Sequence, residues 1–389
     1  MTDVAIAATA ATGRAGGEDL ADQIRRGLND GAPDALLVFA SAQNDYEALL
    51  QAVSDGCRPG VLVGCSSAGE FTHERAGTGH TSVMALRSST MRFHAAVASD
   101  LSADRGKAAQ KLIRGFEGVG SDEFRYRTAL VFVDALAGFA EDLVDKLTLA
   151  TAGRYQFAGG GAGDDGAFKQ THVFCGTRAY TNAAVALEIL SNKPVGIGAR
   201  HGWLPASDPL RVTETADACV VSLNVAPAVE AFEEHADATH QQFDRSDPLP
   251  FFLHNIVGVK TSDGHKLRVP LGVADAGGIM CAAEVPVGAT AHIMSTGPSA
   301  AADAAAEATR DAVAQVASTG ATPRAALFLD CVATRLRLGQ AFANELGAVS
   351  DALGSVPFAG FNSYGQIVRA EGQFSGFHNC TAVVCVLPD

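Results

Sequence analysis

The chain has 389 residues, of which 47% are hydrophobic and 19% charged, and its formal net charge is −14. Such a chain can bury large cores in two or three globular domains, and its composition excludes a disordered protein. The acidic balance argues against a nucleic-acid or anionic-membrane partner, because both are bound through clustered Lys and Arg.

The N-terminal segment and the cysteines indicate the compartment. Asp3 lies where a signal peptide would carry positive charge, and no apolar run is long enough to span a bilayer. The eight cysteines stand singly, without a C-x-x-C pair, which favours buried, reduced thiols over zinc or disulfide sites. We therefore expect a cytoplasmic protein with no membrane segment.

The predicted elements begin with a strand at residues 4–11 and a helix ending near Leu28, in which Leu20, Ile24 and Leu28 share one face. Crossover helices are predicted at residues 45–53, 140–147 and 339–353, and a long alanine-rich helix at 299–317. Hairpins are predicted for residues 81–87 with 93–97 and for 278–284 with 289–295.

Three stretches of the chain repeat one order of elements: an apolar strand, a helical segment, a strand entering a small-residue loop, and a closing apolar strand. The opening strands are 35–39, 129–133 and 325–329, the loops 64–70, 158–164 and 360–366, and the closing strands 81–86, 182–187 and 381–386. Each loop has a small residue, four variable positions, Gly, and then Glu70, Asp164 or Gln366. The repetition predicts pseudo-symmetric walls around one pocket.

Crossovers combined with hairpins predict mixed sheets and not a uniformly parallel one. A composition shift at Pro205, Pro209 and Pro227 marks a domain boundary. The sequence thus predicts an α/β fold with mixed sheets, internally repeated strand–helix–strand–strand units, and two domains at residues 1–205 and 206–389.

Four motifs follow one another over nearly the whole chain. They are Gly64-Cys65-Ser66-Ser67-Ala68-Gly69-Glu70; His201-Gly202-Trp203 before Val212-Thr213; Cys331 and Arg335 with Leu338-Gly339 and Glu345; and residues 357–365 with His378-Asn379 and Thr381. In this order and spacing they resemble the FIST family of bacterial and archaeal sensory proteins. The resemblance implies a FIST N-like domain at 1–205 and a FIST C-like domain at 206–389.

The resemblance also implies a function: a small-molecule sensor that performs no chemistry, with amino acids among its candidate ligands. The sequence contains no kinase, cyclase or methyl-accepting domain, so we expect it to signal through a separate partner such as a histidine kinase or a cyclase. Some family members look like haem proteins that respond to nitric oxide. A haem sensor with His201 as axial ligand is therefore the alternative to a sensor without cofactor or metal.

The predicted ligand-binding residues lie in the three loops and beside the domain boundary. They are Cys65, Ser66, Ser67, Gly69, Glu70, Gly160, Asp164, His201, Trp203, Arg335, Asn362, Ser363, Tyr364 and Gln366. Small loop residues let a ligand or a facing strand approach the backbone closely, and the third loop adds hydrogen-bond donors and acceptors.

Two of these residues have competing interpretations, and a third departs from the family's pattern. His201 beside Trp203 either caps a ligand, binds haem, or forms a packing corner between the domains. Arg335 either pairs with a ligand carboxylate or with Glu345. Gln366 stands where the family's third loop usually carries Glu, which speaks against a charge-dependent role there.

An enzyme is the remaining alternative, a hydrolase or transferase using Cys65 or Ser67. A nucleophile elbow needs Gly two residues before and two after the nucleophile. Ala68 breaks this pattern for Ser66, and Cys65 breaks it for Ser67. His73 or His80 would have to serve as the base for Cys65. The sequence favours a protein without catalytic residues.

Overall fold

Three six-stranded sheets and one nine-stranded sheet carry the fold of the described residues. The structure is a computed structural model, and it describes residues 1–372 and 375–389. Each six-stranded sheet is built on one repeated unit, whose two strands joined by the crossover helix pair in parallel, while the remaining pairings of that sheet are antiparallel. The predicted mixed α/β fold is confirmed.

The first unit occupies the N-terminal part of the chain. Its elements are β1 (Thr2–Thr9), α1 (Gly13–Gly27), β2 (Ala35–Ser41), α2 (Tyr46–Cys57), β3 (Val61–Ser67), β4 (Glu70–Thr72), β5 (Ala76–Gly77), β6 (Thr81–Ser88) and β7 (Met91–Ser99). Helix α2 begins where the Asp45 carboxylate accepts from the backbone N–H of Ala48 at 3.1 Å. It ends at Arg58, which adopts a left-handed conformation.

The second unit repeats this order. Its elements are α3 (Arg105–Arg114), β8 (Tyr126–Val133), α4 (Ala140–Ala150), β9 (Gln156–Gly161), β10 (Val173–Cys175), β11 (Arg178–Tyr180), β12 (Ala183–Ser191) and β13 (Gly196–Arg200). Strand β12 is buried along its whole length. Apart from Glu188 and Ser191 it is apolar, as expected of a strand that lies between other layers of the molecule.

An antiparallel region separates the second unit from the third. Its elements are β14 (Trp203–Pro205), β15 (Leu210–Ala216), β16 (Cys219–Leu223), β17 (Ala226–Pro227), α5 (Ala228–Ala238), α6 (Leu249–Phe252), β18 (Ile256–Thr261), β19 (Gly264–Arg268), β20 (Pro270–Val273), β21 (Ile279–Cys281) and β22 (Thr290–Thr296). These strands form the nine-stranded sheet, whose core includes Phe232 and Phe252.

The third unit completes the described chain. Its elements are α7 (Ala300–Ala317), β23 (Pro323–Cys331), α8 (Val332–Leu338), α9 (Phe342–Leu353), β24 (Phe358–Ser363), β25 (Gln366–Arg369), β26 (Gly376–His378) and β27 (Ala382–Pro388). The alanine-rich helix is confirmed. The third crossover begins earlier than predicted, because α8 follows β23 directly.

The three units exchange strands in a ring. After the first loop, β4 pairs with β24 of the third unit. After the second loop, β10 pairs with β3 of the first unit. After the third loop, β25 pairs with β9 of the second unit. Each unit therefore finishes the sheet of another, and the three loops that precede the exchanged strands are drawn together.

Both predicted hairpins are wrong. Strand β6 lies between β1 and β2, so neither edge is open to β7, which pairs with β12 in another sheet. Strand β22 lies between β18 and β15, and β21 pairs with β16 and β20 instead. A short connection predicts a hairpin only when the edges of both strands are free.

Candidate functional site

The three small-residue loops meet at the centre of the ring through backbone hydrogen bonds. The N–H groups of Ala68, Gly163 and Gly161 donate to the carbonyls of Asn362 (2.9 Å), Ser66 (2.9 Å) and Gly365 (2.8 Å). Ser66, Ser67 and Ser363 have no exposed surface. The loops converge, but they pack against one another through these backbone hydrogen bonds and a side-chain bond from Tyr364 to Asp164, and within the described residues their serines line no pocket at the centre.

A glycine in each unit permits a close approach of the paired parallel strands. A Cβ added at Gly64 would lie 1.8 Å from the carbonyl oxygen of Val38, and one at Gly159 would lie 1.8 Å from that of Val131. In the third unit a Cβ at Gly360 would lie 1.9 Å from a backbone oxygen. These three positions exclude any side chain, which accounts for a glycine at or next to the start of each loop.

In the first loop, Glu70 is held by its own neighbours. The Ser67 hydroxyl donates to one carboxylate oxygen and the backbone N–H of His80 donates to the other at 3.0 Å. Burial raises the pKa of Glu70 to about 7 despite these donors. Cys65, in the preceding strand, is fully buried, and burial raises the pKa of its thiol. Both groups face protein atoms.

The second loop is built around Asp164. Burial opposes its ionisation, but the Tyr364 hydroxyl and the backbone N–H groups of Phe168, Lys169 and Gln170 all donate to the carboxylate and lower its pKa. Asp164 therefore acts as a charged anchor for the turn that follows it. Gly160 in the same loop lies against the third loop, since a Cβ there would stand 2.9 Å from Gly365 O.

In the third loop, the side-chain amide of Gln366 hydrogen-bonds to four groups around it. Oriented so that each end of the amide meets a complementary partner, it donates to the carbonyls of His378 (3.3 Å) and Thr381 (3.2 Å). Its oxygen accepts from Cys331 N (3.1 Å) and Ser363 Oγ (2.8 Å). A neutral amide donates to two acceptors and accepts from two donors at once, whereas an ionised carboxylate has no hydrogen to donate.

A cavity of about 470 Å³ opens where the third loop faces the nine-stranded sheet. We call it the interdomain cavity. It is lined by Ala135, Leu136, Phe168, Leu249, Leu253, Val269, Leu271, Ala282, Cys331, Val332, Ala333, Leu336, Tyr364 and Asn379. The rings of Phe168 and Tyr364 are stacked with centroids 4.4 Å apart. Most of the wall is apolar, with Cys331 and Asn379 among its few polar groups.

Cys331 combines burial with a stabilised thiolate. The thiol of Cys380 hydrogen-bonds to it and lowers the pKa of Cys331 to about 6 against the opposing effect of burial. Backbone N–H groups of Cys380 and Ala333 act in the same direction. Cys331, a residue of the cavity wall, thus carries negative charge more readily than an ordinary cysteine.

Behind Cys331 lies a second space of only about 10 Å³, lined by Asp330, Glu345 and Arg337. Neither carboxylate oxygen of Asp330 has a hydrogen-bond partner, and Oε2 of Glu345 has none. Burial raises the pKa of both acids, and repulsion from Glu345 raises the pKa of Asp330 further. The environment favours protonated acids here, in a space that admits about one water.

Arg335 lies at the first loop and not in the interdomain cavity. Its guanidinium donates to the carbonyl of Ala68, and a Cβ at Gly69 would stand 2.3 Å from its Nη1. Glu345 lies near Arg337 instead. The positive charge of Arg337 partly offsets the rise in the pKa of Glu345 that burial causes. Neither interpretation of Arg335, ligand partner or Glu345 partner, matches this placement.

His201 is engaged on both sides of its ring. Nε2 lies 3.0 Å from the carbonyl of His265, and Nδ1 accepts from the N–H of Trp203 at 3.3 Å. Burial lowers its pKa. Arg337 lies over the Trp203 ring at 5.4 Å. The adjoining space of about 10 Å³ is far too small for a porphyrin, so the residues around His201 do not fit a haem ligand.

Most residues that line the interdomain cavity were not among the predicted site residues. Of the predicted site residues, Tyr364 lines it, whereas Cys331 and Asn379 were noted only within motifs. Leu253, Val269 and Leu271 carried no signal, because an apolar residue in a strand or helix predicts core and not cavity wall. The sequence signal that could have located the cavity wall was the position of some of its residues next to the glycines and cysteines of the motifs.

Searches against known proteins give one specific match and several distant ones. The FIST N domain profile matches residues 34–226 and the FIST C domain profile matches residues 228–369. No curated protein sequence matches the chain significantly.

The solved structures found are remote. The cyanuric acid hydrolase from A. caulinodans has 9% identity and a TM-score of 0.33, over 99% of each chain. T. maritima PurL complexed with AMPPCP has 12% identity and a TM-score of 0.24, over 100% of this chain and 72% of its own. Likenesses this distant carry no argument about fold or function. The two domain matches together span most of the sequence, and on that evidence the chain belongs to the FIST family, whose domains are associated with sensory signal transduction.

Proposed function

We propose that the chain is a small-molecule sensor whose ligand binds in the interdomain cavity. The observation that carries this proposal is the position of the cavity, whose walls come from both the FIST N and the FIST C domain. A volume of about 470 Å³ lies in the range of small-molecule sites. A ligand there would contact both domains at once.

The wall chemistry defines the class of ligand. The stacked Phe168 and Tyr364 rings, with Leu253 and Leu336, offer apolar surface for a largely hydrophobic or aromatic body. Cys331 and Asn379 are placed to orient one polar group. We therefore favour an apolar ligand with one polar end, and among amino acids those with large apolar side chains.

Signalling follows from the position of the cavity between domains. A ligand that binds one arrangement of the domains more tightly than another shifts the population toward it. A separate partner, such as a histidine kinase or a cyclase, would respond to that shift. The cytoplasm remains the compartment that we propose. Within the described residues, no helix has the length and apolar character that a membrane crossing requires.

The proposal assigns no catalytic residue. Cys65 is buried with a raised thiol pKa, and the Ser67 hydroxyl is committed to Glu70. Both features support packing and not nucleophilic attack.

The test is a titration with the fluorescent probe anilinonaphthalene sulfonate, followed by a thermal-shift screen of amino acids, aromatic acids and haem. Leu336→Trp should fill part of the cavity and weaken saturable probe binding about tenfold. Leu336 is 50% exposed, and Leu149, 80% exposed on α4 and outside the cavity wall, is the matched control as Leu149→Trp.

Equal probe binding by both variants and by the unaltered protein would show that the probe does not bind in the interdomain cavity. The cavity would then no longer be the proposed ligand site. A Soret band that survives His201→Ala but not Leu336→Trp would place haem in the cavity. Melting without ligand shows whether each variant is folded.

A further inference from the structure

A second open site lies at the opposite end of the second unit's sheet. Strands β8 and β9 end near the central loops, and at their beginnings, Tyr126 and Gln156, they border a groove of about 770 Å³. Four arginines line it: Arg125, Arg127, Arg154 and Arg369. We call it the arginine groove. It shares no lining residue with the interdomain cavity.

Two of these guanidinium groups are fixed by neutral acceptors. Arg127 donates from Nε to the carbonyl of Gly118 at 2.9 Å and from Nη2 to the carbonyl of Ser121. Arg154 donates from Nη2 to the carbonyl of Val119. The side chain of Arg127 is only 9% exposed. Carbonyl groups orient these cations but do not cancel their charge, so both are held in place as positive groups.

Asp122 compensates the charge of the groove weakly. Asp122 approaches Arg127 at 3.6 Å and Arg154 at 4.0 Å, but its side chain is 99% exposed. Such long, solvent-exposed ion pairs contribute little. Glu371 is the acidic residue among those that line the groove, against four arginines. This local excess of positive charge occurs in a chain whose net charge is −14.

The remaining arginines complete the geometry. Arg369, at the end of the exchanged strand β25, lies over Gly153, where an added Cβ would stand 3.3 Å from Nη2. Arg125 lies 5.3 Å from the ring centre of Tyr126. The groove therefore presents guanidinium groups from three separate segments, beside the ring of Tyr126.

We propose that the arginine groove binds a small phosphate-bearing molecule of mononucleotide size. Guanidinium groups bind phosphate oxygens in pairs, and several arginines match a di- or triphosphate better than a single carboxylate. The volume of about 770 Å³ admits a small molecule with an aromatic or apolar part against Tyr126 and Val195. The site is separate from the proposed sensor cavity, so this inference does not rest on it.

The test is isothermal titration calorimetry with inorganic tripolyphosphate and with ADP, in metal-free buffer at low and at physiological salt. We expect saturable binding of one equivalent that weakens with salt. The double variant Arg154→Gln/Arg369→Gln should weaken it at least about tenfold. Arg245→Gln, which alters an exposed arginine paired with Glu233, is the matched control and should bind like the unaltered protein.

ADP binding more tightly than tripolyphosphate would assign the aromatic face to a base. No saturable binding of either probe, or equal binding by the double variant, would overturn the proposal. So would a short poly-glutamate peptide that binds where the phosphate probes do not, because the groove would then serve an acidic protein segment. If the double variant melts early, Arg125→Gln serves in its place.

Discussion

The three small-residue loops pack differently in two regions. One is the centre of the ring, where the loops meet one another, and the other is the seam, where the third loop faces the nine-stranded sheet. At the centre, the loops meet each other and are joined by backbone hydrogen bonds with no exposed serine. At the seam, Tyr364 of the third loop faces a sheet of another architecture, and a cavity of about 470 Å³ remains between them. The small-residue loops thus pack closely against one another, whereas the third loop leaves a cavity where it faces the nine-stranded sheet.

The largest expected effect tests the packed centre. Gly64→Ala places a Cβ 1.8 Å from the Val38 carbonyl oxygen, so the parallel strands must separate. We expect a loss of more than about 4 kcal/mol in the free energy of unfolding, or failure to fold. Gly347→Ala, in a helix with nothing within 4 Å of the new Cβ, should be neutral or stabilising by up to about 1 kcal/mol.

Chemical denaturation measures both changes. Similar stability of the two variants would mean that the centre is loosely packed, and the contrast with the seam would fail.

The next effect tests the seam. Glu141 of α4 accepts from Lys266 and from Arg268 (3.0 Å) of the nine-stranded sheet, and from Phe377 N (3.2 Å). Arg268 is 2% exposed, so Glu141→Gln leaves a buried cation with carbonyl acceptors but without its paired carboxylate, and should cost about 3 kcal/mol. The neighbouring Asp142→Asn removes a surface pair with Lys146 and should cost less than about 1 kcal/mol. Thermal and urea unfolding would compare them, and equal losses would contradict this account of the seam.

A smaller effect concerns pH at the centre. Burial raises the pKa of Glu70 in the folded protein to about 7, from its ordinary value of 4.5. The folded state therefore holds the proton more tightly, and stability falls as pH rises from about 5 through 7. We expect the contribution of Glu70 to be about 2 kcal/mol smaller at pH 8 than at pH 5. Glu70→Gln should flatten the pH dependence of the urea midpoint, and an unchanged slope would show that Glu70 is ionised throughout.

The smallest effect lies where the two regions meet. Tyr364→Phe removes a hydroxyl that donates to Asp164 and accepts from Gly166 N at 2.9 Å, but keeps the ring in the cavity wall. We expect a loss of about 1 kcal/mol in stability and unchanged affinity for apolar probes. Calorimetric melting and the probe titration measure the two separately. A large loss of probe binding would give the hydroxyl a direct role toward ligand.

The sequence predicted the repeated units because each combines continuous apolar strands with a crossover of helical length. It did not predict the exchange of β4, β10 and β25 between units. These strands have only three or four residues, and pairing partners distant in sequence leave no local signal. The loop at residues 64–70 was located correctly, but the cavity beside residue 364 depends on walls brought together by the fold.

The position of Arg335 shows the same limit. Its spacing from Cys331 marked it as functional, yet the guanidinium supports the first loop from the third unit by donating to the Ala68 carbonyl. A charged residue near a motif serves either ligand or backbone, and only the geometry distinguishes the two. The arginine groove was missed for a related reason, since its four arginines are scattered over residues 125–369.

The ring of exchanged strands constrains the order in which a growing polypeptide can reach its native state. The first unit's sheet stays unfinished until residues 173–180 have left the ribosome, and the second unit's sheet until residues 366–378 have done so. Open sheet edges invite wrong pairing during that interval. We expect nascent chains stalled before residue 366 to be cleaved by protease within the second unit, and chains that include all of residues 1–389 to resist it.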